Sequence, residues 1–124
     1  MTPEQQTRLR RVAEAVREEL ASLMVDEVKD PGTIGTVVTR VEMANDLRSA
    51  RIYVRLLDGG DDEERRRVLT EALERASGML RRELTHRLGL RFAPTLRFFY
   101  DQGLDNTARI EQLLAEIEAE RSNR

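Results

Sequence analysis

The side chains with the most chemical capacity in this chain are its arginines, and they crowd around one weak point. Residues 74–88 read ERASGMLRRELTHRL, with Arg75 before and Arg81 and Arg82 after Ser77-Gly78. Guanidinium groups stay charged, present a planar fork of N–H donors and match phosphate oxygens. Glycine costs roughly 1 kcal/mol relative to alanine inside a helix, and serine competes for backbone hydrogen bonds, so this pair predicts an interruption near residue 77. On a wheel of about 100° per residue, Gly78, Arg82 and Arg75 fall opposite the apolar stripe of Leu69, Leu73, Ala76, Leu80 and Leu84. An exposed glycine at a helix break, with a new helix N-terminus behind it, lets a phosphodiester backbone approach closely and meet free N–H groups. The same residues also fit a simple kink that bends a helix over a sheet, with the arginines as a solvated face.

Other chemistries find little support. The chain has no cysteine and a single histidine, His86, so disulfides, thiolate nucleophiles and cysteine zinc sites are excluded and no histidine cluster exists. His86 shares the outer face of Arg82 and reads as a surface residue. Glu18-Glu19 and Asp61-Asp62-Glu63-Glu64 look like paired carboxylates, but helix-surface solvation and the charge preference of a helix N-terminus account for both. The protein is therefore expected to be no enzyme, without metal or cofactor.

Charge is segregated. Of 21 basic residues all but Lys29 are arginine, a bias that a GC-rich genome also produces, and the formal net charge is −2. Residues 75–100 nevertheless hold Arg75, Arg81, Arg82, Arg87, Arg91 and Arg97 against Glu83 alone, a local charge of +5, while residues 61–74 are acidic. Distribution matters more than the sum for a polyanionic partner. No apolar run approaches the roughly 20 residues that span a bilayer, and MTPEQQTRLRR lacks the apolar core of a secretory signal, so a cytoplasmic protein is expected, with no membrane partner.

The elements that must position these arginines follow from periodicity. Thr2-Pro3-Glu4 starts a helix that runs to about Val25, its buried stripe being Leu9, Val12, Ala13, Val16, Leu20 and Leu23. VKDPGTIG (28–35) is a loop. TVVTRVEM (36–43) alternates, with Val37, Val41 and Met43 on one side. Asn45-Asp46 is a turn, and SARIYVRL (49–56) buries Ala50, Ile52, Val54 and Leu56, giving an antiparallel hairpin. LDGGDDEE (57–64) combines turn glycines with acids suited to a helix start, and the following stripe extends to Leu88 with Gly89 as its C-cap. RFAPTLRFFYD (91–101) is a strand, reached by a crossover that permits a parallel pair. Ile110, Leu113, Leu114 and Ile117 form a short amphipathic helix whose stripe reads as self-packing, and the terminal SNR frays. The outward strand set Arg40, Arg51, Tyr53, Arg55 and Arg97 fits either a second RNA surface or a plain exposed sheet face.

Taken together, RLRRVAEAVREEL, VKDP, VTRVEMANDLRSARIYV, ERASGMLRREL and LRFAPTLRFFYD, with the later IEQLL, resemble the bacterial ribosome-binding factor A family over nearly the whole chain. That resemblance implies an α+β, type II KH-like domain of order α-β-β-α-kink-α-β, with a three-stranded sheet and a short C-terminal helix. The family replaces the KH Gly-x-x-Gly loop with an Ala-x-Gly kink, here Ala76-Ser77-Gly78. Residues 1–104 would form the RNA-binding domain and residues 105–124 its C-terminal helix and tail. The implied function is assembly of the small ribosomal subunit: binding the immature 30S particle and its 16S rRNA near the 5′ end and decoding centre, with importance in cold growth and release by a ribosome-associated GTPase. Gly32-Thr33 stands where the family commonly carries a basic residue, and no role of a longer C-terminal tail carries over. The expected RNA-contacting set is Arg8, Arg10 and Arg11 with Arg75, Ala76, Ser77, Gly78, Arg81 and Arg82, on a monomer. The rival from another class is a protein-binding adaptor that docks a partner through its open sheet or C-terminal helix.

Overall fold

The structure, a computed structural model, describes residues 1–58, 62–102 and 106–122, with side chains of the last helix from Leu114 onward. The expected turn glycines Gly59 and Gly60, the Ile110 and Leu113 side chains, and the last two residues of the SNR tail lie outside the described residues. Helix α1 spans Pro3–Asp26, strand β1 Thr36–Met43, β2 Ser49–Leu56, helix α2 Glu63–Leu88, β3 Thr95–Tyr100 and helix α3 Asn106–Ser122. The strands lie in the order β1-β2-β3, with β1 antiparallel and β3 parallel to the central β2. The α+β class, the hairpin and the parallel crossover are thus as the sequence predicts.

Local chemistry explains the boundaries. At the start of α1 a full capping box forms, the Thr2 side chain accepting from the Gln5 N–H and the Gln5 side chain accepting from Thr2 N–H. Asp62 accepts from Glu64 N–H at the start of α2, and Gly89 closes that helix in the left-handed conformation with φ 61°. The 28–35 segment is more ordered than a plain loop. Asp30 caps a 3-10 turn, Pro31–Thr33, by accepting from Gly32 N–H. Gly32 sits against α2 so closely that a Cβ there would lie 3.0 Å from the Ala72 Cβ and 3.2 Å from Val68, so a larger side chain would crowd the helix.

Two expectations about β1 and α2 need correction. In β1 the buried side chain is Val38 rather than Val37, because the register shifts between Val38 and Arg40. Thr39 is the extra residue of a bulge, which resets the alternation so that Val41 again points inward. Its hydroxyl bonds to the Asp101 carboxylate at 2.6 Å and the Tyr53 carbonyl at 3.1 Å.

The second correction concerns the helix break. Helix α2 runs without interruption through Ala76-Ser77-Gly78. Leu69, Ala72 and Leu73 before the pair, and Leu80 and Leu84 after it, are all fully buried. Each leucine contributes about 1.5–3 kcal/mol by burial, whereas the propensity cost of the pair is roughly 1–2 kcal/mol, so continuous packing outweighs it. Ser77 also satisfies its hydroxyl within the helix by donating to the Glu74 carbonyl at 2.8 Å.

Both long helices cover one face of the sheet. The core joins Val16, Leu20 and Leu23 of α1 and the α2 leucines to Val38, Val41, Ala50, Ile52, Val54, Leu56, Leu96 and Phe98. The opposite face carries the alternate residues of each strand. In α3, Leu114 and Ile117 are 58% and 51% exposed, so this part of the stripe does not self-pack.

Candidate nucleic-acid interface

An unbroken α2 removes one proposed anion device. There is no second helix N-terminus at residue 77, and the N–H groups there belong to the helix ladder. What the residues do provide is an open surface. Gly78 is exposed, with nothing within 4 Å of where its Cβ would be, and it lies as predicted on the face opposite the core. A ligand can therefore approach the α2 backbone closely at this point, held by charge and shape rather than by free N–H donors.

The structure treats the three α2 arginines differently. Arg82 is exposed, and among the described residues it has no hydrogen-bond or ion-pair partner. Arg75 donates to the Asp30 carboxylate at 2.8 and 3.2 Å, although its side chain remains 60% exposed. That carboxylate is held below its ordinary pKa, first by the Gly32 N–H and then by Arg75. Arg81 donates to the carbonyls of Pro94 at 2.9 Å and Ala93 at 3.1 Å, and so ties α2 to the chain leading into β3. Its charge is still available, but two of its donors serve the fold.

Arg8, Arg10 and Arg11 are exposed in the opening turns of α1. Arg8 lines a cleft of ≈ 460 Å³ with Gln5, Leu9 and the hairpin turn Asn45-Asp46-Leu47. It also borders a smaller hollow of ≈ 240 Å³ shared with Arg91 and Phe92. Phe92 is 42% exposed, with the Arg48 and Arg91 guanidinium carbons 4.6 and 5.4 Å from its ring centroid. Arg75, by contrast, is tied to Asp30 just beyond the far end of α1, roughly 25 Å along the helix from Arg8–Arg11 at 1.5 Å per residue. The sequence-predicted set therefore falls into two groups, one at the start of α1 and one on α2. On α2, Arg75, Gly78 and Arg82 share the outer face, while Arg81 turns to the loop before β3 and Ala76 packs against the core.

Counting charge along the sequence also overstates the basic block. Arg87 reaches Glu83 at 3.3 Å, Glu19 at 3.5 Å and Glu27 at 3.7 Å, so acids from α1 and its C-cap oppose it. Burial works against its charge, but the carboxylates outweigh that and raise its pKa. His86 is exposed, as predicted. No described helix is long and apolar enough to cross a membrane, and no described cluster of His, Asp or Glu has the makings of a metal site.

The sequence reading of this surface missed two aromatics. Phe92 stands beside Arg8 in the loop before β3, and Phe99 is 41% exposed on the open face of the sheet. The alternation of TLRFFY, with Leu96 and Phe98 inward and Phe99 outward, carries that second signal in the sequence itself.

Comparison with known proteins agrees with this architecture. A family model described as ribosome-binding factor A matches residues 8–114. Ribosome-binding factor A of Sorangium cellulosum is 51% identical over 110 residues, 89% of this chain and 88% of that protein. The Geobacter sulfurreducens protein of the same name is 44% identical over 117 residues, covering 94% of this chain and 96% of the relative. Among solved structures, the crystal structure of ribosome-binding factor A from Thermus thermophilus superposes with a TM-score of 0.53 at 27% identity, covering 73% of this chain and 88% of that one. The solution structure of a Thermotoga maritima candidate of the same family gives 0.58 at 28% identity, with 83% and 93% covered. The KH-like α+β fold, the span of the family model and relatives matched over most of their length all lead to one assignment: the chain belongs to the ribosome-binding factor A family.

Proposed function

We propose that this protein is an assembly factor of the small ribosomal subunit, which binds the immature 30S particle through its 16S rRNA as a cytoplasmic monomer without catalytic activity of its own. The family match over residues 8–114 is the observation that carries this reading. The exposed arginines suit the partner, because contacts to phosphate by unpaired guanidinium groups read the shape and backbone of RNA rather than its sequence. In this reading Arg8, Arg10 and Arg11 make one contact and Arg82 makes the other beside Ser77 and Gly78, with Ala76 packing the helix onto the core beneath them, while Arg75 and Arg81 add charge from tethered positions. A role near the 5′ end of 16S rRNA, importance in cold growth, and release by a ribosome-associated GTPase follow from the family resemblance.

Sedimentation of a tagged copy against free 30S, 50S and 70S particles tests the proposal. Enrichment on free 30S particles is expected, with binding that weakens steeply as salt rises because phosphate contacts release counterions. Absence from 30S fractions, or equal distribution over all three particles, would overturn it. A salt-insensitive complex containing only protein would instead support the adaptor role.

A further inference from the structure

The sheet face turned away from the helices carries a second arrangement that the helical arginines do not explain. Tyr53 of β2 and Phe99 of β3 are register partners, and their ring centroids lie 5.6 Å apart with the planes tilted by 30°. Arg40 of β1 places its guanidinium 4.1 Å from the Tyr53 ring centroid. Two residues back along both strands, on the same face, Arg51 and Arg97 oppose each other directly as register partners. Like charges directly opposite on neighbouring strands destabilise a sheet. Two acids flank this face: Glu42, the β1 partner of Arg51, has its carboxylate 3.5 Å from Arg40 instead, and Asp101, two residues beyond Phe99, is bonded to the Thr39 hydroxyl. Among the described residues, neither Arg51 nor Arg97 makes an ion pair, so no salt bridge within the fold offsets their direct opposition.

We infer that this face is a binding platform for single-stranded RNA, with bases stacking on Phe99 and Tyr53 and phosphates held by Arg51, Arg97 and Arg55. Exposed rings accept any base, because every base has a π-face, and guanidinium groups beside them supply both phosphate contacts and stacking of their own. Rings and arginines two residues apart along a strand are separated by roughly 6.6 Å, so one strand can present a base contact and a phosphate contact in succession. A protein partner is the poorer fit, since arginines surround the two rings and few aliphatic side chains accompany them. Duplex RNA fits poorly as well, because its base faces are hidden in the stack. The choice of RNA rests on the ribosomal reading above; the stacking geometry does not.

The test is fluorescence anisotropy of the full chain with short unstructured oligo-uridine and oligo-adenosine strands, alongside a duplex RNA. Phe99→Leu should weaken strand binding between about fivefold and a hundredfold, and Phe99→Trp should retain it. Arg97→Gln should lower the slope of log affinity against log salt by about 0.7 in magnitude. Tyr53 emission should be quenched on binding, and Tyr53→Phe should abolish that quench while preserving affinity. Thermal melts on each variant confirm that the fold persists. Unchanged strand affinity in a folded Phe99→Leu protein, equal affinity for the duplex, or no strand binding at low salt would overturn the platform. Parallel 30S sedimentation keeps the two readings apart: 30S binding without affinity for free strands removes the platform alone, and strand binding without 30S association removes the assembly role alone.

Discussion

Arg75 and Asp30, 45 residues apart in the chain, meet at 2.8 Å and join the middle of α2 to the Asp-Pro-Gly turn after α1. The same carboxylate caps Gly32, so one side chain both shapes the turn and draws charge away from the α2 surface. Asp30 should therefore titrate below its ordinary value of 3.8. A folded-state pKa below the unfolded one contributes stability that is present above the unfolded value and is lost as pH falls through the folded value. Carboxyl NMR titration checks this. Arg75→Ala should raise the Asp30 pKa only part of the way, because the Gly32 N–H remains as the larger cause.

The same pairing ranks the α2 arginines as RNA contacts. Arg82→Ala should reduce 30S binding more than Arg75→Ala, since Arg82 has no partner to give up. Equal losses in cosedimentation would show that the Asp30 pair opens at no cost when RNA binds.

For Arg81 the expected defect is structural. Arg81→Ala leaves the Ala93 and Pro94 carbonyls without their donor and should cost about 1–2 kcal/mol, seen as a fall of several degrees in thermal midpoint. An unchanged melt with weaker RNA binding would mean that the tether is dispensable and the charge is what matters.

Gly78→Ala separates close approach from charge. The added methyl meets nothing within 4 Å and replaces glycine in the interior of an unbroken helix, so stability should rise by about 0.5–1 kcal/mol. If RNA packs against this point, 30S binding should fall despite the gain. Normal binding at higher stability would leave Gly78 without a role in recognition.

The Thr39 bulge offers a test of the sheet. Thr39→Ala removes the bond to Asp101 and the bond to the Tyr53 carbonyl, and should destabilise the protein by about 1–2 kcal/mol. Thr39→Ser keeps the hydroxyl and should recover most of the loss. Chemical denaturation with an unchanged m-value distinguishes this from a change in the unfolded chain.

Much of the fold was legible because the signals are local. The Thr2 cap, the stripes of α1 and α2, the alternation of β2 and the Gly89 cap each arise within a few residues of chain, and the apolar period alone separates strand from helix. The arginines could also be found and placed on the outer faces by the same period. Three features depended on parts of the chain distant in sequence. Whether Ser77-Gly78 breaks α2 was a contest between a local propensity of roughly 1–2 kcal/mol and the burial of leucines against a sheet built from other segments, and packing won. The bulge at Thr39 is held by Asp101 from beyond β3, so nothing within TVVTRVEM announced it. The state of each arginine depended on what lies across from it: Asp30 for Arg75, the Ala93 and Pro94 carbonyls for Arg81, Glu19 and Glu27 for Arg87, and open solvent for Arg82. Hydrogen bonds and ion pairs act over only a few ångströms, so a charge count along the sequence cannot tell a tethered guanidinium from a free one.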